Sequence, residues 1–161
     1  MLTAIIRADA SASALAATLS VLIPAVADGF LGHAVVVAAG ADREIETIAD
    51  VTGADYLVAG DSEAWRLGAN QARGDWLVLL DAGDVPQAHW VQTVDRHLML
   101  GAGRPALIPL RGAVDALVER GAVATAPRRM RAGLILPKSQ AVAGLLAAPP
   151  RRLACRRERA G

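Results

Sequence analysis

At 161 residues and 16.7 kDa the chain has the length of one ordinary domain, enough to bury a core without disulfide or metal staples. Hydrophobic residues make up 53% but aromatics only 3%, so the core is built from Ala, Val, Leu and Ile. The single Cys155 excludes an internal disulfide framework and a cysteine zinc site, a pattern consistent with the cytoplasm. The net charge of +1 conceals an asymmetry, since residues 1–100 carry 5 basic and 13 acidic side chains whereas residues 101–161 carry 12 and 3. Either the two halves attract each other or the basic end meets an anionic partner.

Residues 2–7 (LTAIIR) form a short apolar run that predicts a buried strand. Leu15, Leu19, Leu22 and Ile23 then recur at helical spacing, with Ser11 or Ser13 to cap the start and Asp28-Gly29 to close the helix. Ala25-Val26-Ala27 imitates a signal-peptide cleavage site, but the residues before it lack a basic region, so the first strand is read as part of the fold. Residues 33–39 (HAVVVAA) predict a second strand. Residues 42–52 predict a helix with acids in its first turn, where its dipole favours them. Residues 55–59 predict a third strand, and a helix capped by Asp61 or Ser62 runs through Ala72. Residues 75–80 (DWLVLL) predict the most apolar strand, which leads into Asp81-Ala82-Gly83-Asp84 and then a helix over residues 87–99.

No apolar run reaches the ~18–20 residues needed to cross a bilayer. The repeated alternation of strand and helix predicts an α/β fold, a mostly parallel sheet covered by helices on both faces, with ligands at the carboxyl ends of the strands. Past residue 100 the pattern weakens. Residues 106–110 and 133–137 are candidate strands, residues 113–121 a helix, and residues 139–146 a last helix. Pro149-Pro150 marks a boundary, so the domain is expected over 1–148 and a mobile basic tail over 149–161.

Asp81 and Asp84 stand where a buried strand leaves the sheet, which is where carboxylates face a ligand crevice. Mg²⁺ takes one or two protein carboxylates and fills the rest of its shell with water and phosphate oxygens, so two acids suffice for a Mg²⁺ or Mn²⁺ site holding a diphosphate. The alternative is structural: Asp81 caps a turn and Asp84 caps a helix beginning near Pro86.

The run GANQARGDWLVLLDAGDVP (residues 68–86), with a TAII first strand, a VVV second strand and the GAD at residues 53–55, resembles the family 2 glycosyltransferases of the GT-A fold. The resemblance covers residues 2–98 and is most specific over residues 72–84. It implies a Rossmann-like, three-layer α/β/α architecture and transfer of a hexose from a nucleoside diphosphate sugar to an unknown acceptor. It places the first acid of the family's Asp-x-Asp metal motif on Asp81; the second falls on Gly83, with Asp84 just beyond. Ala8, Asp9, Ala39, Arg66 and Asp81 are the candidate nucleotide-sugar contacts, and Asp81 and Asp84 the candidate metal ligands. The chain departs from the family in two places: Arg7-Ala8-Asp9-Ala10 replaces the usual Pro-Thr-x-Asn-like loop, and Ala38-Ala39 replace acids that help hold the nucleotide. Asp9 and Asp42 are candidate substitutes, and Arg66 is favoured over Arg73 for a diphosphate.

Inverting transfer needs a carboxylate base, usually well after the metal site, yet no Asp or Glu lies between Glu119 and Glu158. His89 is the remaining weak candidate; His97 is expected at the surface. The missing motifs make a catalytically inactive relic, a nucleotide-sugar-binding or partner subunit, the main alternative. The basic segments 128–131 and 151–159 suggest a membrane-surface contact at its inner face, while the lack of interleaved aromatics argues against single-stranded nucleic acid. No Gly-x-Gly-x-x-Gly follows the first strand, which argues against a dehydrogenase. The short acceptor half points to a partner chain or a homodimer.

Overall fold

The structure, a computed structural model, describes residues 1–9, 11–101 and 103–160; Ala10 of the first loop and Gly161 of the tail lie outside them. In chain order the elements are β1 (Leu2–Ala8), α1 (Ala12–Ala27), β2 (Leu31–Ala38), α2 (Arg43–Thr52), β3 (Asp55–Val58), α3 (Ala64–Gln71), β4 (Trp76–Asp81) and β5 (Asp84–Pro86). They continue with α4 (Trp90–Leu100), β6 (Ala106–Leu107), α5 (Ala113–Thr125), β7 (Leu134–Pro137), α6 (Lys138–Ala143), β8 (Arg151–Arg152) and β9 (Arg157–Arg159).

Seven strands form one sheet in the order β3-β2-β1-β4-β7-β6-β8, and β5 pairs with β9 in a separate ribbon. β1 runs parallel to β2 and β4, and β2 parallel to β3, whereas β7 is antiparallel to both β4 and β6. The sheet is therefore mostly parallel, as expected, with one reversed strand. Strand order reverses at β1: the chain moves outward through β2 and β3, then returns past β1 to β4. That switch point opens a crevice beyond the carboxyl ends of β1 and β4.

Because strand side chains alternate between faces, each strand feeds two cores. Ala4, Ile6, Val36, Val78, Leu80 and Ile135 share one core with Leu15, Leu19 and Leu22 of α1, Ile45 and Ala49 of α2, and Trp90 and Val94 of α4. Ile5, Val35, Val37, Leu77, Leu79, Leu134 and Leu136 share the other with Ala64, Trp65 and Ala69 of α3 and Ala141 of α6. Helices thus cover both faces of the sheet, making three layers. Small side chains bring the helices close: a Cβ on Gly68 of α3 would lie 2.6 Å from Ile5 Cγ2.

Local signals explain most boundaries. Ser11 Oγ accepts from Ala14 N at 3.3 Å at the start of α1, and Asp42 Oδ1 accepts from Glu44 N at 2.9 Å and Ile45 N at 3.2 Å at the start of α2. The expected caps of α3 are absent, since the helix begins after Glu63 with no side-chain cap. α4 starts at Trp90, three residues later than expected; Gln87 is instead bonded to the C-terminal segment, its N donating to the Arg156 carbonyl at 2.9 Å and its Oε1 accepting from Arg156 N at 3.0 Å.

The largest correction concerns residues 149–161, expected to be a mobile tail. β8 pairs with β6, β9 pairs with β5, and Cys155 and Arg157 are 0% and 2% exposed. Composition alone underestimates this segment because its anchors are backbone pairing and a single buried arginine, neither of which needs an apolar run. His97, expected at the surface, is likewise buried; its Nε2 donates to the Arg104 carbonyl at 2.8 Å, and its ring meets Trp76 edge-on.

Candidate functional site

The carboxyl ends of β1 and β4 stand side by side, with Arg7 and Asp81 as register partners. Both Nε and Nη2 of Arg7 lie 2.9 Å from Asp81 Oδ1, and Arg7 sits 4.9 Å over the Trp65 ring in a cation–π contact. Asp9 Oδ2 is 3.9 Å from Arg7 Nε. Burial raises the Asp81 carboxyl above its usual range; Arg7 works against this, and the neighbouring charges of Asp84 and Asp9 add to it.

The loop after β4 is held by backbone and side-chain contacts. Ala82 N donates to the Arg7 carbonyl at 2.9 Å, and Gly83 N donates to the Ala14 carbonyl at 3.0 Å and to Thr18 Oγ1 at 2.9 Å. Gly83 adopts φ +98°, a conformation that side chains other than glycine's rarely take. A second carboxylate at that position would strain this turn, which explains why a glycine stands there.

Asp84 is not part of the exposed crevice. It is 1% exposed, its Oδ2 accepts from Asp81 N at 3.0 Å, and the same oxygen pairs with Arg157 Nε at 3.1 Å. Arg157 also donates to Glu119 Oε1 at 3.0 Å and to the carbonyls of Ile108 at 2.6 Å and Ala132 at 3.1 Å. Gly133 leaves room for this guanidinium: a Cβ there would lie 2.5 Å from Nη1, and its φ is +88°. The expected role of Asp84 as a metal ligand is therefore corrected. Its carboxylate neutralises a buried arginine and holds the backbone of Asp81.

Three hollows of about 410, 470 and 540 Å³ meet at Arg7. Asp81 and Arg159 line the first and third, Trp65 the first two, and Asp9 the third. Of the expected nucleotide-sugar contacts, Asp9 and Asp81 lie at this edge, and Arg66 lines the neighbouring hollow while paired with Glu63. Ala8 is buried at the end of β1, and Ala39 is exposed beyond β2 without lining any of the three. Asp42 is committed to capping α2. Arg73 lies before β4, at the opposite edge of the sheet, and pairs with Asp55 at 3.6 Å.

His89 lines a different hollow, between α4 and β8, which shares no residue with these three. It is removed from the position a base for this site would need. The residues that sequence reasoning overlooked are Arg7, Trp65, Asp115 and Arg159. Asp115, in the first turn of α5, lines the same hollow as Asp81. The position of Arg7 at a strand end was a legible signal; that of Arg159 depends on β9 folding back.

The described residues contain no group of three or more His, Cys, Asp or Glu side chains able to hold a metal. With Asp84 withdrawn and Asp81 paired to Arg7, they do not fit a metal held by protein ligands alone. One carboxylate does fit a cation that arrives on a diphosphate and takes its other oxygens from phosphate and water.

No family model matches the chain, and no curated protein matches it in sequence. Solved structures do. Glucosyl-3-phosphoglycerate synthase from Mycobacterium tuberculosis, in complex with Mn²⁺, UDP and glucosyl-3-phosphoglycerate, superposes with a TM-score of 0.67 at 19% identity, covering 86% of this chain and 57% of that one. The same enzyme with Mn²⁺ and UDP-glucose gives 0.65 at 18% identity, with 86% and 56% covered. Its complex with Mg²⁺ and UDP gives 0.66 at 17%, with 86% and 57% covered. The chain spans little more than half the length of these structures, and the likeness is one of fold, the GT-A architecture.

Proposed function

We propose that the chain is a glycosyltransferase of the family 2 type that takes a hexose from a nucleoside diphosphate sugar at the Asp81 edge and passes it to an acceptor. The observation that carries this reading is the carboxylate of Asp81 at the switch point of the sheet, with the cations Arg7 and Arg159 on the same walls. The similar fold of an enzyme solved with UDP-glucose and Mn²⁺ supports it.

In this reading Arg7 and Arg159 meet the diphosphate, and the Asp9 loop flanks the nucleotide. Mg²⁺ or Mn²⁺ enters with the donor, Asp81 being its protein ligand, and supplies charge neutralisation on the leaving diphosphate. Asp115 is the carboxylate on the facing wall available to take the acceptor's proton. A cytoplasmic site of action goes with this reading; among the described residues no helix is long and apolar enough to cross a membrane. The exposed Val114, Leu117 and Val118 of α5, beside the same hollow, are the face on which a homodimer would form.

A second reading, an inactive nucleotide-sugar-binding relic, is favoured by the Arg7–Asp81 pair, which already neutralises the carboxylate that faces the crevice at the end of β4. Calorimetry with UDP-glucose and GDP-mannose, with and without Mn²⁺, tests both. Donor binding that is enhanced by metal, and lost in Asp81→Ala, supports a donor site; absence of any binding overturns both readings. Donor hydrolysis or transfer that falls about a hundredfold in Asp115→Asn, with binding intact, identifies the enzyme. Binding without turnover in the parent identifies the relic.

A further inference from the structure

One face of α4 and the strand β8 enclose a groove of about 590 Å³ on the side of the sheet that carries α1 and α2. His89, just before α4, and Gln92, Thr93, Arg96, His97 and Leu100 within it follow one another at a spacing of three or four residues or lie side by side, and therefore share one helix face. Arg151 to Ala154 form the other wall. Three arginines, Arg96, Arg151 and Arg152, are thus among the residues lining one groove, and no Asp or Glu is among them. Among the described residues none of Arg96, Arg151 and Arg152 forms an ion pair, although other arginines of the C-terminal half do. Leu100, Leu153 and Ala154 add apolar surface between these cations, and Met99 and Leu100 at the end of the helix are each 76% exposed.

We propose that this groove is a binding site for a phosphate-bearing anion, separate from the Asp81 edge. Two features carry it. Arginines that line one groove with no carboxylate among its lining residues leave positive charge uncompensated there, and a phosphate neutralises it while accepting paired hydrogen bonds from a guanidinium fork. The groove is also built across the sheet rather than along a single flexible segment: β8 is fixed by pairing Ala106 with Arg151 and Leu107 with Arg152, and Leu153 N donates to the Leu107 carbonyl at 2.9 Å. The cations are presented by a strand and a helix. The phosphate could belong to a free phosphorylated metabolite or to a lipid headgroup; the protruding Met99 and Leu100 beside Arg96 provide apolar anchors for the second source.

The test uses the full chain and does not depend on the donor site. Amide chemical shifts are followed by NMR during titration with inorganic phosphate, and co-sedimentation is measured with phosphatidylcholine vesicles with and without phosphatidic acid. Phosphate-dependent shifts confined to residues 89–100 and 151–154 are expected, weakened about tenfold by Arg96→Ala and again by Arg151→Ala with Arg152→Ala. These side chains are solvent-exposed, and an otherwise unchanged amide spectrum checks that each variant folds. Phosphate binding with sedimentation only on phosphatidic acid, both reduced by the variants, identifies the lipid source. Phosphate binding without vesicle binding identifies the free metabolite. Absence of both, shifts located at the Asp81 edge instead, or binding unchanged in the triple variant overturns the proposal. UDP binding plays no part in any of these outcomes.

Discussion

Asp81 illustrates how one side chain is shaped by opposing influences. Burial disfavours its carboxylate, Arg7 favours it, and burial is the larger influence, so its folded-state pKa lies above the ordinary value. The sign follows directly. Between the unfolded and the raised folded value the unfolded chain gives up its proton first, so ionisation of Asp81 opposes folding at neutral pH, and acid removes that cost. Asp81→Asn is therefore expected to melt no lower than the parent at pH 7, with any advantage vanishing once the pH falls below the ordinary carboxylate range. The same variant should bind nucleotide sugar at least about tenfold more weakly. Thermal melts across pH together with calorimetry check the pair; a large loss of stability at pH 7 would show that Asp81 is a structural residue. This combination, a side chain costly to the fold and needed by a ligand, is what a functional site predicts.

At the scale of elements, the C-terminal ribbon decides whether the crevice exists in its observed form. β9 places Arg159 at the crevice, Ala160 N donates to the Gly83 carbonyl at 2.7 Å, and Arg157 at the start of β9 links β5, α5 and the turn before β7. Its partners Asp84 and Glu119 are 1% and 7% exposed, so removing the guanidinium leaves two buried acids without a counter-charge. Arg157→Met should cost about 3–5 kcal/mol in urea denaturation, and adding Asp84→Asn and Glu119→Gln should recover part of the loss. Melting within a degree of the parent would show that the ribbon is not held by this network. By contrast, the Arg111–Glu158 pair is exposed, and breaking it should cost no more than about 1 kcal/mol.

For the molecule as a whole, the opposite charges of the two halves are resolved in part by contact between them, since Arg157 of the basic half binds Asp84 of the acidic half. Among the described residues Arg96, Arg151 and Arg152 form no ion pair, and they line the groove proposed for a phosphate. One sheet supplies both cores, and the last segment is joined to β5 and β6, so no part is expected to unfold independently. Far-ultraviolet circular dichroism and tryptophan fluorescence should therefore report one coincident transition, with Trp65 in one core and Trp90 in the other. Two separated transitions would reveal that the cores, or the C-terminal segment, are independent units.

The order of strands and helices through residue 100, apart from the short strand β5, the buried character of β1, β2 and β4, and the position of Asp81 at a strand end were all determined by the sequence. Periodicity, capping residues and glycines act over a few neighbours, so they are legible without knowledge of the fold. Only the tertiary structure decided what each charge does. Asp84 and Arg157 are 73 residues apart in the chain, and Arg7 and Asp81 are 74 apart, so nothing local distinguishes a metal ligand from the partner of a buried arginine. The same holds for residues 151–160. Their composition suggests solvent, but the open backbone of β5 and β6 and one buried guanidinium give them a place in the fold.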